Sequence, residues 1–207
     1  MTFPALPYLA LISFLFLAAD FSPAEEKMHW FKGNTHTHSL WSDGNDFPEM
    51  IAKFYKDNNY HFLVLSDHNV LSRGEKWMNV GAIEKRRKAL GVPTLKKYIS
   101  TFGKDWVELR GEDKKQEVRL RTLEEIRPKF EGGGDFIFIE GEEITNNFRG
   151  SPVHTNGMNL KELIVPKKGT SLRDTMRNNI IAVREQSTRL KKPMLSHLNH
   201  PNFGWSI

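Results

Sequence analysis

The chain reads as an α/β protein built on a mainly parallel sheet, and three observations predict it. Short apolar runs alternate with amphipathic segments, as they do in repeated strand and helix units. The runs "HFLVLSDH" and "DFIFIEGEE" are too apolar for half-exposed strands and suit strands buried on both faces. Successive runs also end in His, Asp or Glu, the residue types that build sites at the carboxyl ends of parallel strands. With 207 residues, 39% of them hydrophobic, the chain can bury one good core, and its length suggests a single domain.

Taken in order, residues 5–19, "ALPYLALISFLFLAA", form an uncharged apolar run before "DFSPAEEK". Ser22 and Ala24 satisfy the small-residue rule for signal-peptide cleavage, although no Lys or Arg precedes Lys27. A leader over residues 1–24 is therefore expected, with a secreted or periplasmic mature chain over 25–207. The run is shorter than the roughly 20 apolar residues of a membrane span, so no stable span is expected there or later. "HWFKGNTH" reads as a first strand. "DFPEMIAKFYKDN" reads as a helix capped by Asp46, with Met50, Ile51, Phe54 and Tyr55 on one apolar face. "HFLVLSDH" is a second strand, and "DFIFIEGEE" a third after the turn signal "GGG". "SLRDTMRNNIIAVREQSTRL" is the clearest helix, with Leu172, Met176, Ile180 and Val183 on one face, and "KPMLSHLNHP" follows as another buried strand. The charged stretch over about 70–132 is long for a simple connection and is read as a helical insertion rimming the site.

Composition excludes some functions. The 30 Lys and Arg exceed the 25 Asp and Glu by five, but they are scattered through helical segments and not gathered beside aromatics, which argues against a nucleic-acid stripe. Without cysteine there is neither a disulfide nor a thiolate metal site.

The polar residues at the strand ends carry the chemistry. "FKGNTHTHSLWSDG" places His36 and His38 on one side of the first strand, and a turn through Gly44 brings Asp43 back toward them. Asp67 and His68 end the second strand, Glu140, Glu142 and Glu143 the third, and His197 and His200 the last. Each group has a plainer explanation as a turn, cap or solvated loop. Their recurrence after successive strands favours a shared site. His29 and His61 fall outside this pattern.

The segments "NTHTHSLWSDG", "FLVLSDHN", "IEGEEIT", "PVHTNGMNL" and "LSHLNHPNFGW" resemble, in order, the motifs of the PHP (polymerase and histidinol phosphatase) family. The resemblance spans Trp30 to Trp205 and implies a distorted (β/α)7 TIM-like barrel with two or three divalent metal ions, zinc, manganese or iron. It further implies a metal-dependent phosphoesterase in which a metal-bound hydroxide attacks a small-molecule phosphate ester. Position by position, His36, His38 and Asp43 match the first metal motif, His68 the "DH" histidine, Glu143 the "GxE" carboxylate and His154 the histidine after it. His200 matches the "HP" histidine, with His197 kept as its alternative. Asp67 is read as orienting a ligand or accepting a proton, with Asp67, His68 and Glu143 as the catalytic set. The family's closing Asp-x-His is not reached before Ile207, so the barrel is expected to be incomplete at a truncated C-terminus. Two competing readings are an amidohydrolase-like amide or ester hydrolase and a non-catalytic secreted metal-binding protein.

Overall fold

The computed structural model describes residues 28–87 and 93–201; the expected leader lies outside them. The described residues from Phe31 onward form one compact unit. Its strands are β1 (Gly33–Asn34), β2 (Phe62–Leu65), β3 (Lys76–Asn79), β4 (Leu109–Arg110), β5 (Glu117–Leu120), β6 (Ile137–Phe148), β7 (Ser151–Met158) and β8 (Leu195–Leu198). Its helices are α1 (Pro48–Asp57), α2 (Val80–Arg87), α3 (Thr94–Phe102), α4 (Leu123–Glu131) and α5 (Leu172–Leu190). No helix among the described residues is long and apolar enough to cross a membrane.

The expected (β/α)7 barrel is not what the chain forms. The main sheet has five strands in the order β1-β2-β6-β7-β8, parallel through β1, β2 and β6 and antiparallel through β6, β7 and β8. The cause lies in β6, which changes partner along its length. Ile137 to Glu140 pair with β2, and Gly141 to Phe148 pair with β7. Gly141 permits the change, because a Cβ there would lie 2.6 Å from the Val64 side chain and 2.8 Å from the Gly157 carbonyl oxygen. Beyond it the chain returns through a two-residue hairpin turn, Arg149-Gly150, with both residues at positive φ and the Asn147 side chain accepting from the Gly150 N–H. A tight hairpin enforces an antiparallel partner, where a barrel needs a helical crossover. The last strand is likewise not the buried parallel strand expected: β8 is antiparallel, and Leu195 and Leu198 are exposed.

The stretch read as a helical insertion is mainly helical among its described residues and also carries a small sheet. β3, β5 and β4 form a separate antiparallel sheet, joined by α2 and α3. Ile83, Tyr98, Val118 and Leu120 from this layer share one core with Leu40, Trp41, Phe47 and Met50, so the insertion braces the loop after β1 and the start of α1. Of the apolar face expected on α1, Met50 is buried and Ile51 and Tyr55 pack against the core, whereas Phe54 does not. Phe47, not Asp46, is its N-cap residue; Phe54 is 61% exposed, and Glu49 is wholly buried. On α5 the buried face is Thr175, Asn179, Val183 and Gln186, and only Val183 matches the apolar stripe expected. The polar members accept hydrogen bonds from the backbone of the preceding segment: Gly169 to Thr175, Lys167 to Asn179, Lys161 to Gln186.

Glu49 gives the fold a pH dependence. Its carboxylate accepts from the Tyr98 hydroxyl at 2.6 Å and the Trp106 indole at 3.0 Å, but burial outweighs these and holds its pKa above the ordinary value. The folded state therefore keeps a proton that the unfolded chain releases. Glu49 contributes its full stability below the unfolded pKa and loses it as pH rises toward the folded one. Glu49→Gln keeps both hydrogen bonds and removes the titration, so its melting temperature should fall less than the wild type's between pH 5 and pH 9. Parallel pH profiles for the two proteins would refute this role.

Candidate metal centre

The site forms where the parallel and antiparallel halves of the sheet meet. His36 and His38 do not lie on β1, which ends at Asn34, but on an extended segment beyond it. That segment is aligned by Ser66, whose hydroxyl accepts from the Thr37 N–H at 3.0 Å and whose own N–H donates to the Thr37 carbonyl at 2.9 Å. The imidazoles of His36 and His38 converge with their Nε2 atoms 3.0 Å apart. Gly44 then closes the turn. Its N–H donates to the Ser39 carbonyl, and a Cβ there would lie 2.6 Å from the His38 backbone. The turn brings Asp43 Oδ1 to 2.8 Å from His38 Nδ1, and Asp43 Oδ2 lies 3.5 Å from His68 Nε2.

Asp67 is buried below this loop and does not join the cluster. Its carboxylate accepts from the Ser39 N–H at 2.7 Å, the Ser39 hydroxyl at 2.8 Å and the Ser42 hydroxyl at 2.6 Å. It holds the turn that carries His38 and Asp43. Its carbonyl accepts from the Glu143 N–H, and the Asn69 N–H donates to the Glu143 carbonyl, which ties β6 to the end of β2 on both sides of His68.

Glu143 is the centre of the cluster and is fully buried. Its Oε1 lies 3.3 Å from His36 Nε2, 3.2 Å from His154 Nδ1, 3.2 Å from His200 Nε2 and 2.6 Å from Asn199 Nδ2. Its Oε2 lies 2.7 Å from His38 Nε2 and 3.1 Å from His68 Nδ1. Burial alone would raise its pKa, but the imidazoles of His154, His36 and His38 and the Asn199 amide hold the carboxyl far below the usual range. His38 responds in the opposite sense. Burial alone would lower it, and the carboxylates of Glu143 and Asp43 raise it overall. For His68 burial prevails and the pKa is lowered.

The neighbouring carboxylates do other work. Glu142 faces away, accepts from the Ile164 N–H at 2.9 Å and is pushed up by burial to about 7. Glu140 takes a two-pronged ion pair from Arg73, at 2.7 and 2.6 Å. Of the two alternatives on the last strand, His200 joins the cluster at a φ of 28°, a conformation non-glycine residues rarely adopt. His197 pairs across from Asn156, with its Nδ1 3.3 Å from the Leu198 carbonyl, and belongs to none of the ligand groups. Two residues escaped the sequence reading. Asn199 donates to Glu143 and to Asn156 Oδ1, while Asn156 donates to the Thr35 carbonyl. The one signal for Asn199 was an amide lodged between two histidines in "HLNH".

The donors fit divalent cations. Among the described residues, three overlapping groups could each hold an ion: His36, His38 and Glu143; His38, Asp43 and His68; Glu143, His154 and His200. Glu143 Oε2 is buried and close to two imidazole nitrogens, yet neither approach is aligned as a hydrogen bond. A buried carboxylate oxygen left in that condition is costly unless a cation completes it. The 3.0 Å between His36 Nε2 and His38 Nε2 would suit two ligands of one ion, since two nitrogens each about 2.0–2.1 Å from an ion sit roughly 3 Å apart. Nitrogen and carboxylate donors without thiolate suit zinc, manganese or iron.

No protein-family model matches the chain, and no curated protein matches it.

Purified protein incubated with zinc or manganese should retain at least two equivalents. The joint change His36→Ala and His38→Ala breaks two of the three groups and leaves Glu143, His154 and His200, so it should lower the retained metal by about one equivalent or more. Metal at a hundredfold excess over its Kd should stabilise the wild type by about 2.7 kcal/mol, or roughly 5–10 °C in melting temperature. Unchanged metal content in the double variant would sink the assignment.

Proposed function

We propose that the protein is a metal-dependent phosphoesterase related to the PHP family, acting on small-molecule phosphate esters with two or three divalent ions at the Glu143 cluster. One observation carries this reading: five imidazoles and a buried carboxylate from separate parts of the chain converge within hydrogen-bonding distance of one another. The order of motifs in the sequence supports it. Cations bound in such a set polarise phosphoryl oxygens and lower the pKa of coordinated water toward 7.

The protein's own groups have distinct parts. Glu143 belongs to one ligand group with His36 and His38 and to another with His154 and His200, so it would be a ligand common to both if both were filled. Asp43, 65% exposed at its side chain, sits at the open edge beside His38 and His68, where it would join them in holding an ion. Asp67 fixes the turn that presents Asp43 and His38, and acts through them. Arg149 stands at the hairpin tip six residues beyond Glu143, about 20 Å along the strand and away from the cluster. Its guanidinium lies over Phe148.

Glu143→Gln keeps the size of the side chain and loses its charge. It should lower turnover of a phosphate ester by at least about a hundredfold, the lower range for removing one preorganised electrostatic group. Glu142→Gln and Glu140→Gln should be far milder, because neither faces the cluster. If Glu142 proves the sensitive position, or if the metal-loaded protein cleaves carboxylic esters or amides and no phosphate ester, this function is wrong.

Export belongs to the same proposal. The protein recovered outside the cytoplasm should begin at Glu25, as N-terminal sequencing would read it. Recovery only from the cytoplasm with residue 1 still present would count against a leader.

A further inference from the structure

A cavity of about 370 Å³ opens beside the metal cluster, and His38 belongs to both. One wall is Ile51, Phe54 and Tyr55 of α1, part of the apolar stripe that the sequence suggested for the core. The Phe54 ring is left 61% exposed there, although covering it would be favourable. The two rings are set as a corner, with centroids 5.4 Å apart and planes at 85°. Tyr55 is fixed in place. Its hydroxyl accepts from the Asn34 amide, and its ring meets Tyr60 edge-on at 4.8 Å. Lys97 brings the cavity a cation, but its ammonium lies 3.3 Å from the Asp46 carboxylate, so that side presents an ion pair and not a free charge. Thr37, also in the lining, has a buried hydroxyl without a hydrogen-bond partner.

We propose that this cavity receives the alcohol portion of the substrate, and that the enzyme prefers phosphate monoesters of uncharged, ring-bearing alcohols. The inference rests on the phosphoesterase reading above. It follows from continuity and chemistry. A phosphoryl group at His38 directs its ester oxygen toward the adjoining space, where an aromatic corner suits a flat ring and a paired lysine does not call for a second anion. In the reaction the P–O bond to that alcohol breaks, water supplies the new oxygen on phosphorus, and its proton goes to the departing alkoxide.

The test compares 2-phenylethyl phosphate with n-propyl phosphate, whose leaving groups are alike in basicity and differ in the ring. The metal-loaded wild type should favour the phenyl ester in kcat/KM by about tenfold or more. Phe54→Ala, at an exposed position that should not disturb folding, should cut that ratio by about tenfold, and Phe54→Tyr should restore it. Calorimetric binding of the matching phosphonates gives a second readout that needs no turnover. Equal kcat/KM for the two esters, or a ratio unchanged by Phe54→Ala, overturns the proposal. If neither ester is cleaved but phenylethylphosphonate binds more tightly than propylphosphonate and loses that advantage in Phe54→Ala, the phosphoesterase reading fails and the ring preference of the cavity stands.

Discussion

The structure depends on one buried charge. Removing a carboxylate from water costs several kcal/mol unless opposite charge or well-made hydrogen bonds replace the solvent, and Glu143 has lost its solvent entirely. Its compensation comes from distant parts of the chain: the segment after β1, the end of β2, β7, and the residues after β8. Each must arrive within a few ångströms, and this fixes where those segments end. The change of partner at Gly141 is part of the same arrangement, since it pairs Glu143 with β7 while its backbone stays bonded to the residues after β2.

The supports of the site are indirect. Asp67 touches no cluster ligand through its side chain, yet it accepts three hydrogen bonds from the loop that presents two of them. That loop is also held from outside, because Leu40 and Trp41 share a core with the insertion. A change in Val118 or Leu120 would therefore reach His38 and Asp43 without touching either. The insertion is a brace as well as a rim, and its cavity-side residue Lys97 lies on α3.

Periodicity made parts of the fold legible. α5 was read within a residue of its ends and β2 within three, because a long capped helix and an apolar run bounded by turn signals are clear patterns. β7 was not, since "SPVHTNGM" alternates polar and apolar residues only loosely and its partner is supplied by a hairpin. The barrel expectation failed for the same reason. Nothing in "NNFRGSP" announces that the following segment pairs antiparallel, apart from a glycine at a turn. Among the site residues, His36, His38, Asp43, His68, Glu143 and His200 stood at the ends of apolar runs, whereas His154 was found only through the family resemblance. Which glutamate faced the cluster could not be read from composition; it follows from the alternation of β6, which sends Glu142 to Ile164 and Glu143 to the histidines. Glu49 was hidden because a helix stripe does not say which neighbour it will meet.

The Arg149-Gly150 turn has a consequence for the order in which the site is assembled. Glu143 and His154 lie on the two arms of one hairpin, so bringing them together closes a short loop and costs little chain entropy. Pairing Phe62 with Ile137, which brings the His36 and His38 side to Glu143, requires the whole insertion to be spanned. Contacts of that range form late in folding, as a rule. The hairpin half of the ligand set is thus closed by local contacts, and the His36 and His38 half by contacts of much longer range.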